Sequence, residues 1–209
     1  MVIYLIAFTL LSYLAGSFSS AVWYGKWFYN TDVREHGSKN AGATNTLRVL
    51  GAKAALPVFV TDILKSYLSV CLIYLIPDLA SGTEQFYQIK LLFGVSAVIG
   101  HIFPLFSGFK GGKGVASMLG LVLALHPAAA GLSLLVFLLV FLSSRIVSIS
   151  SISAAIVFPI IIFILEKTEF LTLNIFSIIA AVLIVITHLK NIKRLLKRQE
   201  KKISFKKKG

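Results

Sequence analysis

Seven apolar stretches make up most of this 209-residue chain: 2–24, 54–77, 88–106, 114–125, 128–143, 147–165 and 170–188. A helix needs about 20 apolar residues to cross the hydrocarbon core, and fewer when protein buries part of it. Repeated runs of this kind predict an all-α fold: a polytopic transmembrane helical bundle of about seven helices. The fourth and fifth stretches are short, and His126-Pro127 divides them, since proline marks a turn after a helix end. One broken helix is the alternative there. Composition agrees. Hydrophobic residues are 57% of the chain and charged residues 14%, against about 25% charged in soluble domains. Too little polar sequence remains to coat a soluble domain of this size. The length suits one membrane domain, residues 1–189, followed by a basic tail, 190–209. The first stretch has no Lys or Arg before it, so it reads as a retained helix rather than a signal peptide, which needs a basic leader. A single cysteine, Cys71, excludes a disulfide framework within the chain.

The placement of charge orients the bundle. With seven helices and the N-terminus outside, the inner segments 25–53, 107–113, 144–146 and 189–209 hold 18 of the 21 Lys and Arg residues. The outer loops carry Asp78, Glu84, Glu166, Glu169 and Lys167, and Lys90 sits at the outer edge of the third stretch. This matches the positive-inside rule and puts the C-terminus in the cytoplasm. Ten of the cations follow His188. They suit retention and contact with anionic membrane lipid. Nucleic acid is not expected as a partner, because Phe205 is the only aromatic in the tail and base stacking needs aromatic side chains interleaved with the charge.

Three inner segments have the composition of ligand sites. The first, Gly37-Ser38-Lys39-Asn40-Ala41-Gly42-Ala43-Thr44-Asn45-Thr46-Leu47-Arg48, combines glycines that admit close backbone approach with small hydrogen-bonding side chains and one guanidinium. It suits a phosphate cradle, although plain turns share its Gly/Ser/Asn content and the Walker spacing is absent. The second runs from Gly100-His101 through Pro104 to Phe109-Lys110-Gly111-Gly112-Lys113-Gly114. Two lysines and four glycines within seven residues, ahead of a helix, favour an anion site over simple flanking charge. The third is His188-Leu189-Lys190-Asn191-Ile192-Lys193-Arg194-Leu195. There His188, Asn191 and Leu195 share one helical stripe, and His188 is either a base, a donor to an anion, or a hydrogen-bonded helix end.

Asp62 and Lys65 lie within the second apolar stretch, where charges usually pair; a structural ion pair and a substrate contact both fit. Ser148, after Arg145, is placed either to hold a phosphate or to cap the next helix. The four histidines form no His-x3-His pair, and Gly-x-Ser-x-Gly is absent, so no metalloprotease or nucleophile-elbow chemistry is signalled. Anions rather than metals suit this inner face, and no metal or cofactor is expected.

Taken together, the three segments resemble the bacterial acyl-phosphate–glycerol-3-phosphate acyltransferase (PlsY) family along the whole chain. The residues that carry the likeness are Ser38, Asn40, Gly42, Thr44, Asn45 and Arg48; Gly100, His101, Pro104, Phe109, Lys110, Gly111, Gly112, Lys113 and Gly114; and His188, Asn191, Ile192, Arg194 and Leu195. Gly16-Ser17, Asp32, Arg34, Asp62 and Lys65 also look like family positions. Leu189 stands where an Arg is usual, which leaves one cation fewer near the third segment. Ser107-Gly108 and Ser19-Ser20 also depart from the pattern.

The resemblance implies an enzyme that moves a fatty acyl group from acyl phosphate to the 1-hydroxyl of sn-glycerol 3-phosphate, giving lysophosphatidic acid and phosphate. An activated donor requires no covalent protein nucleophile, so positioning and charge stabilisation suffice. The expected catalytic residues are His188, Asn191, Ser38, Arg48 and Lys113. Phosphate binding falls to Ser38, Asn40, Gly42, Thr44, Asn45, Arg48, His101, Lys110, Gly111, Gly112, Lys113 and Ser148. The base is either His188 or a phosphate oxygen of the substrate. An organic-anion transporter is the main rival, but it would place charges near the midplane of two related halves, and no internal repeat is visible.

Overall fold

The computed structural model describes residues 1–166, without the side chain of Glu166, and 171–203. Lys167, Glu169 and Phe205 fall outside them. Every described regular element is helical: α1 Val2–Ser17, α2 Ser20–Tyr29, α3 Ala43–Leu50, α4 Ala52–Cys71, α5 Glu84–Ile102, α6 Val115–Leu125, α7 Pro127–Ser144, α8 Val147–Glu166, α9 Leu171–Thr187 and α10 Leu189–Leu196. Short 3-10 turns follow α4 and α5. All seven apolar stretches are helical, but the first, 2–24, is divided between α1 and α2 rather than forming one helix.

Among the described residues four helices are long and apolar enough to cross a membrane: Ala52–Leu75, Glu84–Ser107, Pro127–Ser144 and Val147–Leu165. Two bent pairs raise the number to six, α1 with α2 at 45° and α9 with α10 at 60°. The seventh stretch is α6, with 11 residues. The break between α6 and α7 falls at His126, immediately before the proline, so these are two helices rather than one broken one.

The chain divides into two compact units, Met1–Pro127 and Ala128–Gly209. In the first, α5 packs against α1, α4 and α6, and α4 against α1 and α6. Small residues set these distances. A Cβ on Gly16 would run into the backbone of Ala97 on α5, and one on Gly120 into the carbonyl of Ile63 on α4. Close backbone approach of this kind drives helix association where lipid is the solvent. In the second unit α8 packs on α9.

The buried charges of α4 and α5 are matched. Asp62 and Lys65 on α4 form a 2.8 Å ion pair with the two side chains 1% and 6% exposed. Lys65 also donates to the Phe18 carbonyl at 2.9 Å. That carbonyl sits in the break between α1 and α2, where the helix no longer satisfies its own backbone. On α5, Lys90 donates to the Ala124 carbonyl at 3.2 Å. Its ammonium lies 5.1 to 6.0 Å from the rings of Phe86, Tyr74 and Tyr87. Eleven residues rise only about 16 Å, roughly half the hydrocarbon thickness, so α6 ends short and Lys90 covers its C-terminal carbonyl, where a cation is favourable.

Candidate active site

The loop before α3 is organised by one side chain. Asn45 is 1% exposed. Its Oδ1 accepts from the Ser38 backbone N–H at 2.7 Å and from Ser38 Oγ at 3.0 Å. Its Nδ2 donates to the carbonyls of Val33 and His36 at 2.7 and 3.1 Å. The amide is thereby committed at both ends to the loop itself. The sequence reading puts Asn45 among the phosphate ligands; the structure makes it the scaffold that shapes residues 33–45. Ser38 stays exposed, and Thr44 and Arg48 are half-buried.

Two contacts pin this loop to the glycine-lysine segment. Asp32 takes the Arg34 guanidinium through Nε at 3.0 Å and Nη2 at 2.7 Å, and Arg34 Nη1 donates to the Ser107 carbonyl at 2.7 Å. The Arg34 hydrogen bond holds the Asp32 carboxyl down at about 2, against an ordinary 3.8, with burial opposing. The second contact is from Asn40 Nδ2 to the Gly111 carbonyl at 3.5 Å. The first two segments thus adjoin.

The glycines of the second segment behave differently from the expectation. The N–H groups of Gly111 and Gly112 donate to the carbonyls of Ile102 and His101, at 3.2 and 3.1 Å. They close the C-terminal end of α5, which accounts for those glycines, because a Cβ on either would strike the His101 residue. Both N–H groups are thus engaged by the end of α5. The donors this segment offers are the exposed Lys110, the half-buried Lys113 and the first-turn N–H groups of α6, which lack intrahelical partners.

His101 was expected to contact substrate directly. Its ring is 6% exposed, lies against Gly112, and is held from behind: Nδ1 is 3.0 Å from Lys65 Nζ and 3.3 Å from Asp62.

In the second unit His188 occupies the bend between α9 and α10, 3% exposed. Its Nδ1 is 2.8 Å from the Ile184 carbonyl. A carbonyl only accepts, so Nδ1 carries the hydrogen and the neutral ring keeps its lone pair on Nε2. Asn191, 4% exposed, donates through Nδ2 to Glu200 Oε1 at 2.6 Å. Glu200 also accepts from Ser148 Oγ at 3.1 Å and from Arg194 Nε at 2.6 Å. Burial raises its carboxyl, but the hydrogen bonds from Arg194, Asn191 and Ser148 outweigh that and hold it below the usual range. Ser148, expected to bind phosphate, instead braces Glu200. Sequence reasoning missed Glu200, although it is the one carboxylate among the ten cations after His188. The backbone of Ile203 donates to the Arg145 carbonyl at 2.8 Å, so the described tail folds back on the turn between α7 and α8.

Comparison with known proteins matches this arrangement to one family. A family model described as glycerol-3-phosphate acyltransferase matches residues 6–198. A glycerol-3-phosphate acyltransferase of Fusobacterium nucleatum is 40% identical over 198 residues, covering 95% of this chain and 97% of that one. One of Salinibacter ruber is 43% identical, covering 93% and 90%. A crystal structure of PlsY (YgiH), an integral membrane glycerol 3-phosphate acyltransferase in its glycerol 3-phosphate form, aligns with a TM-score of 0.86 at 34% identity, covering 96% of each chain. Its lysophosphatidic acid form aligns at 0.83, covering 96% and 95%. The helical membrane fold, the ordered motifs and these likenesses lead to one conclusion: the chain belongs to the integral-membrane glycerol-3-phosphate acyltransferase (PlsY) family.

Proposed function

We propose that the protein transfers a fatty acyl group from acyl phosphate to the 1-hydroxyl of sn-glycerol 3-phosphate. The products are lysophosphatidic acid and inorganic phosphate. The observation that carries this reading is the pinning of the Ser38–Arg48 loop to the Lys110–Lys113 segment by Arg34 and Asn40. It gives one unit both a hydroxyl- and guanidinium-bearing loop and a lysine-bearing loop, as two anionic substrates demand. The relatives solved in glycerol 3-phosphate and lysophosphatidic acid forms support the acceptor and the product.

The chemistry balances without a protein nucleophile. The 1-hydroxyl oxygen forms the new ester bond to the acyl carbon. The carbon–oxygen bond to the phosphate breaks, and the hydroxyl proton ends on that phosphate. Arg48, Lys110 and Lys113 offset the negative charge that collects on the phosphate oxygens. Ser38, Asn40 and Thr44 add hydrogen bonds, with Gly42 leaving room at the backbone. Asn45, Gly111 and Gly112 shape the loops. His188, whose neutral tautomer keeps the lone pair on Nε2, and Asn191 orient the attacking hydroxyl. No cofactor or metal takes part. The protein resides in the bacterial cytoplasmic membrane with the site and the C-terminus on the cytoplasmic side and the N-terminus outside, following the distribution of Lys and Arg. Residues 1–189 form the transmembrane acyltransferase domain, and 190–209 the basic tail that meets anionic lipid and no nucleic acid.

The test is phosphate release by purified, folded protein given palmitoyl phosphate and glycerol 3-phosphate. Release that depends on both substrates supports the proposal, and none from folded protein sinks it.

A further inference from the structure

Beneath the glycine-lysine segment lies a buried polar cluster that the proposed chemistry does not use. Asp62 is 1% exposed, Lys65 8% and His101 6%. The three ammonium protons of Lys65 are fully spoken for by Asp62 Oδ1 at 2.8 Å, the Phe18 carbonyl at 2.9 Å and His101 Nδ1 at 3.0 Å. Ser20 Oγ on α2 donates to Asp62 Oδ1 at 2.8 Å. The same Nδ1 of His101 lies 3.3 Å from Asp62 Oδ1, so both members of the ion pair hold one edge of the ring. Nε2 is the edge of the ring that faces Gly112, where an added Cβ would collide with it. The carbonyl of the same histidine accepts from Gly112 N–H at 3.1 Å. His101 thus touches the loop twice, through ring and backbone, while Asp62 and Lys65 fix the rotation of the ring.

We infer that Asp62, Lys65 and His101 are positioning residues which set the height and orientation of the 110–114 loop, and so the affinity for the substrate whose phosphate that loop holds. The inference rests on the acyltransfer reading. A buried ion pair in a membrane helix is expensive unless it is well matched, and this one is relayed through His101 of α5 to a loop of the candidate site. The loop has no large side chain of its own to anchor it between Lys110 and Lys113. The imidazole supplies the surface on which Gly112 rests. The cluster also couples the loop to the break between α1 and α2 through Phe18 and Ser20. The orientation of the first turn of α6, which follows Gly114 directly, is carried along with the loop.

Initial rates should be measured for the wild type, Asp62→Asn and His101→Ala, varying each substrate at saturating levels of the other. A loop that is merely mispositioned raises KM for one substrate and spares kcat. His101→Ala is expected to raise the KM of one substrate about tenfold, because the loop loses the imidazole on which Gly112 rests, with kcat within about threefold. Asp62→Asn should raise the same KM and leave the other alone. Equal KM effects on both substrates, a loss confined to kcat, or a KM for His101→Ala equal to that of the wild type would each overturn the inference. The His101→Ala arm decides even if Asp62→Asn fails to fold. A wild type that turns over nothing takes down the acyltransfer reading and the inference together; normal wild-type turnover with unmoved KM values removes the inference alone.

Discussion

Two side chains, one in each unit, do the same structural work by different means. Asn45 gathers the loop of residues 33–45 with four hydrogen bonds, all to neutral groups and three of them to backbone. Glu200 gathers Ser148, Asn191 and Arg194, all side chains, one of them cationic. The amide matches donor to acceptor within 12 residues of sequence. The carboxylate reaches 52 residues back and depends on its charge. The first scaffold is local and does not titrate. The second is long-range, ionic and tied to proton concentration.

The largest expected effect leaves both scaffolds untouched. Arg48→Ala and Lys113→Ala should each cut phosphate release at least about 100- to 1,000-fold, the scale of losing a charge-stabilising donor. Thermal unfolding in detergent should scarcely change. Near-normal rates would remove both residues from the proposed chemistry. Asn45→Asp comes next. It keeps the shape but loses both donors to the Val33 and His36 carbonyls, at about 1–3 kcal/mol for each unsatisfied group. Amide exchange across residues 33–46 should accelerate while residues 189–203 stay protected. Loosening of both regions would break the idea that the first scaffold is local. Glu200→Gln should be milder. It retains an acceptor for Ser148 and Asn191 but gives up the charge on Arg194, whose side chain is 40% exposed. A fall in turnover of less than about tenfold is expected, since partly exposed pairs contribute little. A larger loss would mean that Glu200 itself reaches the substrate.

Acidity gives the smallest and most selective effect. The Glu200 carboxyl is held below its ordinary value of 4.5 in the folded protein, so the unfolded chain binds the proton more readily. Its contribution is present above the ordinary carboxylate range and is lost as pH falls through and below it. Asp32 behaves likewise, but its contribution fades between 3.8 and about 2. Exchange followed from about pH 6 to about pH 3 should therefore rise in residues 189–203, with residues 33–46 holding longer. Simultaneous loosening would contradict the contrast.

The spans were legible because each is set by its own apolar run, and the α6–α7 break because Pro127 announces itself. The break inside the first stretch was not. Residues 2–24 read as one helix, and what sustains the interruption at Phe18 is a lysine 47 positions away. The adjoining loops were legible as types of loop, through their glycines, lysines and hydroxyls. Which atoms would face a ligand was not. Gly111 and Gly112 read as phosphate donors until α5 supplied carbonyls for their N–H groups. Asn45 read as a ligand until its four partners enclosed it. Glu200 read as charge balance in a basic tail because Ser148 is distant in sequence.

The short α6 has a consequence for how the protein is made. Lys90 belongs to α5, which leaves the ribosome before α6 does. While α5 enters the bilayer its ammonium has no Ala124 carbonyl to meet, and a lysine without that partner in an inserting helix is costly even toward the outer end. The side chain must therefore reach toward the headgroups at first, and turn inward only when α6 arrives beside it. Insertion of α5 and docking of α6 become a single coupled event, and the order of synthesis becomes part of the order of assembly.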